Sequence, residues 1–316
     1  MKILVTGSSG HLGEAIVRTL NKMGHDTVGV DIIPSATTNL LGSITDRSFV
    51  KQAMKEVEIV LHSATLHKPH VATHDRRLFV DTNITGTLNL LEEAVRGNVR
   101  SFIYTSTTST FGDALLSRTG GPATWIDEEV QPIPKNIYGV TKTAAEDLCE
   151  LFYRNEKLPC IVLKTSRFFP EQDDQKIIAE TYADGNIKAN EYLYRRVEIG
   201  DVVSAHLLAM EKAPFIGFNK YIISATTPFN KNDLSKLHKY APGVVRHLFP
   251  DYPSLYSQFN WKMFPVIDRV YVNDKARKDL TWNPLYDFRY ILGLLKVSGD
   301  IRSPLAKEIG IKGYHK

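Results

Sequence analysis

The chain has 316 residues, 43% of them hydrophobic, which is enough for a sizeable core in an α/β sheet with a smaller lobe. Its formal charge of +4 is small and its basic residues are dispersed, which argues against a nucleic-acid partner. Two cysteines do not make a disulfide framework, and we find no signal peptide or long apolar run, so we expect a cytoplasmic protein without a membrane segment.

Strands and helices are expected to alternate through the first 165 residues. Apolar runs and amphipathic periodicity predict, in chain order, strand 2–6, helix 11–23, strand 27–31, helix 46–55, strand 58–62, helix 77–97, strand 101–106, helix 138–154 and strand 160–164. This alternation is typical of an α/β fold with a doubly wound parallel sheet. We therefore predict a Rossmann-type domain over residues 1–165.

The pattern loosens after residue 165, where prolines, aromatic residues and short helices dominate. Ligands of doubly wound folds bind outside the carboxyl ends of the strands. We therefore expect residues 166–316 to form mainly a substrate-binding lobe above that edge, with a segment at about 197–225 returning to the sheet.

A glycine-rich turn lies directly behind the first strand. Gly7 permits the tight turn, Gly10 lets the backbone approach a pyrophosphate, and Gly13 lets the following helix pack on the strand. The helix N-terminus at His11 and Leu12 offers free N–H groups and a positive dipole end to phosphates. Because a strand precedes the turn and a helix follows it, the motif favours dinucleotide binding over a simple turn.

Asp31 ends the second predicted strand. A carboxylate at this position can accept both ribose hydroxyls and would repel a 2′-phosphate. The sequence therefore predicts NAD as the cofactor, rather than NADP. Capping of the strand end is the other role open to this side chain.

Tyr138 and Lys142 are the candidate catalytic pair, one helical turn apart on the same face. The ordinary pKa of tyrosine, near 10, is too high for a base at neutral pH, and a nearby ammonium favours the phenolate. A tuned Tyr138 could take a proton from a substrate hydroxyl while a hydride leaves the same carbon. An exposed pair without a catalytic role is the alternative.

A hydroxyl-rich segment at 105–109 ends the strand that precedes this pair. The carboxyl ends of parallel strands face the ligand crevice, so one of these hydroxyls could bind a substrate oxygen. For most of them, a threonine-rich strand running into a loop is the simpler interpretation.

Together these motifs resemble the extended short-chain dehydrogenase/reductase family, in its NAD-dependent epimerase/dehydratase group. The resemblance covers nearly the whole chain. It rests on the segments 6–13, 31, 61–64, 83–87, 105–107, 111–112, 138–142, 201–206 and 280–284.

The resemblance implies a role for each motif residue. It makes Tyr138 the acid/base, lets Lys142 tune it and hold the ribose, and has Thr107 bind the reacting oxygen. Cofactor contacts are implied at Ser63, Ala64, Asn83 and Thr105, with Asn83 also holding the site together. The resemblance further implies a homodimer in which helices 77–97 and 138–154 form a four-helix bundle.

Two departures from the family pattern narrow the reaction. Thr108 and Ser109 stand where sugar 4,6-dehydratases carry an Asp–Glu pair and where decarboxylases keep a glutamate, which disfavours both reactions. Arg167 lies where nucleotide-sugar enzymes often carry an asparagine. It could bind a phosphate or carboxylate, or form a buried ion pair with Glu171 or a nearby aspartate, and a nucleotide sugar is thereby in doubt without being excluded.

His67, His70 and His74 follow the fourth predicted strand in a loop near the expected nicotinamide. No cysteine or acid completes a set of ligands, so we predict no metal site. We expect His67, together with Thr107, Thr108 and Arg167, to contact the substrate.

Three further segments allow two interpretations each. The loop 113–135 could cover the site as a lid, or Trp125 within it could pack on the sheet edge. The acids 173–174 suit a helix N-terminus better than a ligand site. The arginines 195–196 could bind a substrate phosphate or remain solvated.

The leading hypothesis is an NAD-dependent epimerase acting on a secondary alcohol of a sugar or nucleotide sugar. A hydride would leave to NAD and return to the opposite face of a transient ketone. The alternative is a dehydrogenase of a non-nucleotide sugar or another secondary alcohol that releases NADH. A non-catalytic NAD sensor is disfavoured by the intact set of Tyr138, Lys142 and Thr107.

Overall fold

The computed structural model describes residues 1–116, 121–172 and 176–313. Its longer strands follow the predicted alternation, and the short strands β3, β6 and β9 are ones that the sequence pattern does not predict. The strands of this part of the chain are β1 (Lys2–Thr6), β2 (Asp26–Asp31), β3 (Leu40–Leu41), β4 (Ile59–His62), β5 (Ser101–Thr107), β6 (Thr124–Ile126), β7 (Cys160–Thr165), β8 (Phe218–Ile223) and β9 (Arg269–Tyr271).

The helices include several short elements in the second half of the chain. The α-helices are α1 (His11–Lys22), α2 (Arg47–Ala53), α3 (Arg76–Phe79), α4 (Gly86–Arg96), α5 (Ile137–Glu156), α6 (Lys176–Thr181), α7 (Asp184–Glu191), α8 (Ile199–Ile216), α9 (Leu234–Leu248), α10 (Tyr252–Gln258), α11 (Asp274–Leu280), α12 (Phe288–Ser298) and α13 (Pro304–Ile309). Short 3₁₀ turns occupy Lys68–Ala72, Thr108–Phe111, Asp113–Leu115 and Lys231–Asp233. None of the helices in the described ranges is long and apolar enough to cross a membrane.

Seven strands form one parallel sheet in the order β3-β2-β1-β4-β5-β7-β8. Parallel neighbours need crossover connections, which the helices supply. The strand order reverses at β1, so the ends of β1 and β4 flank the topological switch point where such folds bind ligands. The predicted fold class is confirmed.

The central strands are buried on both faces because helices cover each side. Ile3 and Val5 of β1 pack in the layer that contains α1 and α8, whereas Leu4 packs in the layer of α2, α4 and α5. All three side chains are fully buried. This alternation follows from the two-residue period of a strand, and it fixes the register of β1 in the sheet.

A second lobe packs its own aromatic-rich core from α7, α9, α10 and α12. Helix α8 and strand β8 lie between segments of this lobe in sequence. However, β8 is a strand of the main sheet, and α8 packs against that sheet. The boundary at residue 165 is less sharp than expected. Strand β6 pairs with β9 of the lobe, and Trp125 packs against the lobe core rather than the edge of the main sheet.

The helix predicted at 77–97 is wrong as one continuous α-helix. Helix α3 is followed by a π-helical segment, Val80–Thr85, before α4 begins. The wider turn of a π-helix changes where the side chains of that segment point. Here it accompanies a buried Asn83, whose side chain bonds to Leu66 and Thr141 on two other segments.

Two helical glycines give a matched test of this packing. A Cβ at Gly13 would lie 1.9 Å from the carbonyl oxygen of Gly7, whereas a Cβ at the exposed Gly293 would meet nothing within 4 Å. We expect Gly13→Ala to lower the free energy of unfolding by about 1–3 kcal/mol, because the helix must move off the turn. Gly293→Ala should raise it by up to about 1 kcal/mol. Urea unfolding checks both values, and equal effects would contradict the packing described.

Candidate active site

The carboxyl ends of β2, β1, β4, β5 and β7 meet, in that spatial order, at one edge of the sheet. A cavity of about 770 Å³ lies along this edge. Neighbouring strands lie about 4.8 Å apart, so the cavity extends roughly 19 Å along the sheet edge from β2 to β7. The strand ends therefore arrange the candidate residues in a row.

The glycine-rich turn forms the floor at β1. Gly7 adopts φ +73°, and a Cβ there would lie 2.8 Å from the backbone nitrogen of Ala64. Gly10 caps α1 without a side-chain bond, so the first N–H groups of the helix remain for a ligand. His11 and Leu12 line the cavity beside these glycines. This cradle fits the diphosphate of a dinucleotide.

His11 carries a buried polar atom on the cavity wall. Its Nδ1 makes no hydrogen bond within the described part of the chain. Burial lowers the pKa of His11 to about 4, so the ring is neutral at pH 7. A neutral imidazole still has one donor and one acceptor, which makes this atom suitable for a ligand contact.

Asp31 ends β2 at the opposite end of the cavity from β7. Its Oδ2 accepts a hydrogen bond from the backbone of Ser9 and its Oδ1 accepts one from Ile33, each at 3.0 Å. Each carboxylate oxygen keeps a second lone pair, so these bonds fix the side chain without preventing ribose binding. The capping role and the ribose role are compatible.

Tyr138 and Lys142 lie in the first two turns of α5 and both line the cavity. Asn136 caps this helix by accepting a hydrogen bond from the backbone of Gly139 at 3.0 Å. Lys142 is buried, and its Nζ donates to the carbonyl oxygen of Thr105 at 2.7 Å. Nζ also lies 4.1 Å from the centre of the Tyr104 ring.

The charge of Lys142 is set by two opposing effects. Burial lowers its pKa to about 7, while the carboxylate of Glu146, one turn further along α5, acts to raise it. Lys142 therefore gives up its proton more readily than an exposed lysine does. An added negative charge nearby would protonate it.

The three threonines at the end of β5 have different surroundings. Thr107 Oγ1 accepts a hydrogen bond from the backbone of Ser109 at 3.1 Å, so its own O–H can donate to a ligand. Thr108 is buried and lines the cavity. Thr105 bonds through its hydroxyl to His206 at 2.8 Å, and its contribution to the site is the carbonyl that holds Lys142.

A buried ion pair behind these residues was not found from the sequence. Glu146 accepts hydrogen bonds from Lys164 Nζ at 2.6 and 2.7 Å and from Ser106 Oγ at 2.5 Å. Lys164 belongs to β7 and Ser106 to β5. One feature of the sequence points to Glu146: it follows Lys142 by four residues, so both side chains lie on the same face of α5.

The structure does not bring Asn83 into the cavity. Its Oδ1 accepts hydrogen bonds from Thr65 Oγ1 and the Leu66 backbone, each at 2.9 Å. Its Nδ2 donates to the Leu66 carbonyl at 3.2 Å and to Thr141 Oγ1 at 3.0 Å. Asn83 thus joins the loop after β4 to α5, which supports a holding role and not a cofactor contact.

The loop after β4 contributes a further part of the wall. Ser63 Oγ donates to the carbonyl of Thr6 at 2.7 Å, and Ala64 follows it along the cavity. His67, His70 and His74 also line the cavity. Their rings pack on each other, and His67 packs edge-on against Phe169. In the described ranges no group of three histidine, cysteine or acidic side chains is placed to hold a metal.

Arg167 lines the cavity beyond the end of β7 and pairs with Glu191, with Nη1 and Oε1 3.3 Å apart. The sequence left open whether Arg167 binds a ligand or pairs with Glu171 or a nearby aspartate, and Glu191 is a partner that it did not suggest. Arg195 and Arg196 approach the same carboxylate at 2.8 Å each. Burial raises the pKa of Glu191, but the three arginines lower it by more. The pKa is therefore below its ordinary value, and the carboxylate is charged.

The acids 173–174 lie outside the described residues.

Comparisons with known proteins agree with this geometry. The model of the NAD dependent epimerase/dehydratase family matches residues 3–219. A putative UDP-glucose 4-epimerase of Methanocaldococcus jannaschii is 24% identical, covering 91% of this chain and 94% of that protein. The uncharacterized protein y4nG of Sinorhizobium fredii is 30% identical over 166 residues, and this chain spans only 39% of its length.

Two solved structures share the fold. A short-chain dehydrogenase/reductase superfamily protein from Agrobacterium tumefaciens with bound NAD has a TM-score of 0.67 at 21% identity, covering 98% of this chain and 99% of that chain. UDP-glucose 4-epimerase from Thermotoga maritima has a TM-score of 0.65 at 23% identity, covering 95% and 100%. The family match confirms the resemblance found in the sequence and the prediction of NAD, and the two structures show the same fold.

The two ends of β2 allow a test of Asp31. We expect Asp31→Asn to lower the preference for NAD+ over NADP+ at least tenfold, because the amide keeps an acceptor but no longer repels a 2′-phosphate. Asp26→Asn, at the exposed opposite end of the strand, is the matched control. Calorimetric titration with each cofactor measures the ratio of dissociation constants. An unchanged ratio in Asp31→Asn would show that this carboxylate does not face the ribose.

The burial of Lys142 predicts a pH dependence of stability in the protein without ligand. Its pKa falls from near 10.5 to about 7 on folding. Between these values the folded state has lost the proton that the unfolded state keeps, so the contribution of Lys142 to stability rises with pH. The free energy of unfolding, measured in urea from pH 6 to 10 (about the range of the two pKa values), should rise more in the native protein than in Lys142→Met. Parallel curves would contradict this assignment.

Proposed function

Because this chain belongs to the NAD dependent epimerase/dehydratase family, we propose that it inverts a secondary alcohol of a sugar by reversible oxidation. NAD, when bound, accepts the hydride and returns it. The observation that carries this proposal is the placement of Tyr138, Lys142 and Thr107 on one cavity that continues into the dinucleotide cradle. Family membership alone would leave the reaction open.

Tyr138 is proposed as the group that moves the proton. Its hydroxyl takes the proton of the substrate alcohol during oxidation and gives it back during reduction. Lys142, one turn away, compensates the charge. Because burial lowers the pKa of Lys142, a phenolate on Tyr138 would favour the protonated form of this lysine.

Thr107 is proposed to orient the reacting oxygen. Its Oγ1 accepts from the backbone N–H of Ser109, and the O–H of the same hydroxyl can donate to the substrate oxygen. A substrate oxygen bound by both Thr107 and Tyr138 has its carbon fixed relative to the nicotinamide side of the cavity. Holding reacting groups in a productive geometry can remove about 7–11 kcal/mol of a reaction barrier. The neighbouring Thr108 and Ser109 carry no carboxylate, which supports inversion over loss of water.

A dehydrogenase that releases NADH is the second candidate. It is favoured by a relative described as a 3 beta-hydroxysteroid dehydrogenase/Delta 5-->4-isomerase of Mycobacterium tuberculosis, which is 24% identical and covers 90% of this chain. The same residues would perform the oxidation. Release or retention of the reduced cofactor separates the two functions.

We also propose that the protein forms a homodimer through α3, α4 and α5. Leu78 on α3 exposes 47% of its surface, and Val140 and Leu151 on α5 expose 48% and 38%. Apolar side chains exposed on neighbouring helices suit a helix-to-helix interface. A four-helix bundle of two copies would cover them.

The proposed reaction is tested with Tyr138→Phe. We expect conversion of an accepted sugar to fall about 10²–10⁴-fold, the usual contribution of a positioned acid/base, while NAD remains bound. Tyr240→Phe, at a tyrosine 62% exposed in the lobe, is the matched control. Mass spectrometry follows the sugar and absorbance follows NADH. Inversion without NADH supports the epimerase, and stoichiometric NADH supports the dehydrogenase. Undiminished conversion by Tyr138→Phe would refute the assignment of the base.

A further inference from the structure

The ammonium group of Lys142 lies between a carbonyl oxygen and an aromatic ring, both supplied by β5. Its Nζ donates to the Thr105 carbonyl at 2.7 Å and lies 4.1 Å from the centre of the Tyr104 ring. A cation within about 6 Å of a ring centre is attracted by the negative face of the ring. The contact with Tyr104 is therefore well inside the range of a cation–π interaction.

Tyr104 is held in place from both sides of β5. Its backbone pairs with His62 of β4 and with Val162 of β7. Its side chain is buried in the apolar layer that contains Ala145 and Cys149 of α5. The ring also packs on the ring of His62, with 5.5 Å between the two centres. Because the strands and the neighbouring ring fix its position, the face of Tyr104 is a rigid support for the lysine.

The hydroxyl of Tyr104 does not contribute to this support. Its oxygen is buried and makes no hydrogen bond within the described part of the chain. Burial raises the pKa of Tyr104 well above its ordinary value, so the group stays neutral. The face of a neutral ring attracts an ammonium group but has no lone pair that could take its proton. The ring therefore stabilises the charge of Lys142 without acting as a competing base.

Other titratable groups around Lys142 act differently from the aromatic face. Glu146 on α5 acts to raise the pKa of Lys142, but both its carboxylate oxygens accept hydrogen bonds from Lys164 on β7. His62 on β4 is bonded to threonine hydroxyls through both ring nitrogens, and burial lowers its pKa to about 3, so it is neutral. Cys149 on α5 is a buried thiol. The ring is thus a separate source of stabilisation for the ammonium charge.

We propose that Tyr104 is a positioning residue of the active site. The face of its ring, together with the Thr105 carbonyl, holds the ammonium group of Lys142 at the wall of the cavity. An ammonium group has three donors, so two are directed at these supports and the third can reach a ligand. The proposal rests on the proposed function for the role of Lys142 in the reaction, whereas the hold on the ammonium depends only on the two contacts.

Fluorinated rings at position 104 test this proposal, because fluorine weakens the negative face of a ring and changes its volume very little. The series is Tyr104→Phe, followed by phenylalanine analogues with one, two and three ring fluorines. Tyr104→Phe should leave the pKa of Lys142 unchanged, since it removes only the hydroxyl. We expect the pKa to fall with each added fluorine, by about one pKa unit over the series. Carbon-13 NMR of labelled lysine measures it in the protein without ligand, with Lys142→Met identifying the signal. A constant pKa would overturn the proposal.

Phe102 provides the matched control for the fluorine series. It lies two residues before Tyr104 on the same face of β5 and is buried in the same apolar layer. Two residues of strand separate the two positions by roughly 6.6 Å. The same fluorinated analogues at position 102 should leave the pKa of Lys142 unchanged, and urea unfolding checks that each variant folds. An equal fall in pKa from both positions would overturn the proposal, because direct contact with the ring would then not be the cause.

Turnover of an accepted sugar separates this inference from the proposed function. If protonated Lys142 supports Tyr138 in the reaction, the alkaline limb of kcat against pH should move to lower pH along the fluorine series. The reason is that a lysine with a weaker hold on its charge loses its proton at lower pH. A fall in the pKa of Lys142 without this movement would refute the role proposed for Lys142 and leave the present inference standing. A constant pKa would refute the present inference alone, while Tyr138→Phe still decides the proposed function.

Discussion

The buried carboxylate of Glu146 holds together the elements that carry the candidate catalytic residues. It lies on α5 one turn after Lys142 and bonds to Lys164 on β7 and Ser106 on β5. Leaving one partner of such a pair buried alone costs about 3–5 kcal/mol, so the helix and the two strand ends are fixed relative to each other. The same carboxylate opposes the effect of burial on the pKa of Lys142. Geometry and charge in the site therefore depend on one side chain.

Other buried polar groups extend this framework. Asn83 joins the loop after β4 to α5, and Glu191 joins the end of β7 to the lobe through Arg167. Asp201 accepts hydrogen bonds from the backbone of Leu285 and Tyr286 at 2.9 Å each, which fixes the lobe on α8. Each of these side chains connects two segments far apart in sequence. Arg167 and the loop after β4 both line the cavity, so two of these connections fix parts of its wall.

The sequence predicted what local patterns determine. The glycine turn, Asp31 and the alternation of strands and helices depend on spacing within about 30 residues, the length of one strand–helix–strand unit. The sequence did not predict ion pairs between residues far apart in the chain, nor helical segments with irregular backbone geometry. Arg167 has Glu171 nearby in the chain but pairs with Glu191, because its backbone runs alongside Arg196. The π-helical segment around Asn83 keeps the hydrophobic pattern of an α-helix, so periodicity does not distinguish them.

The central claim is that the hydrogen on the reacting carbon moves as a hydride, while only the hydroxyl proton passes through Tyr138. Turnover of an accepted sugar in D₂O, with proton NMR of the inverted carbon, tests it most directly. The account predicts that this carbon keeps its original hydrogen, because a hydride stored on the bound cofactor does not exchange with solvent. Deuterium at the inverted carbon would contradict the account, since it would mean that a base removes that hydrogen as a proton.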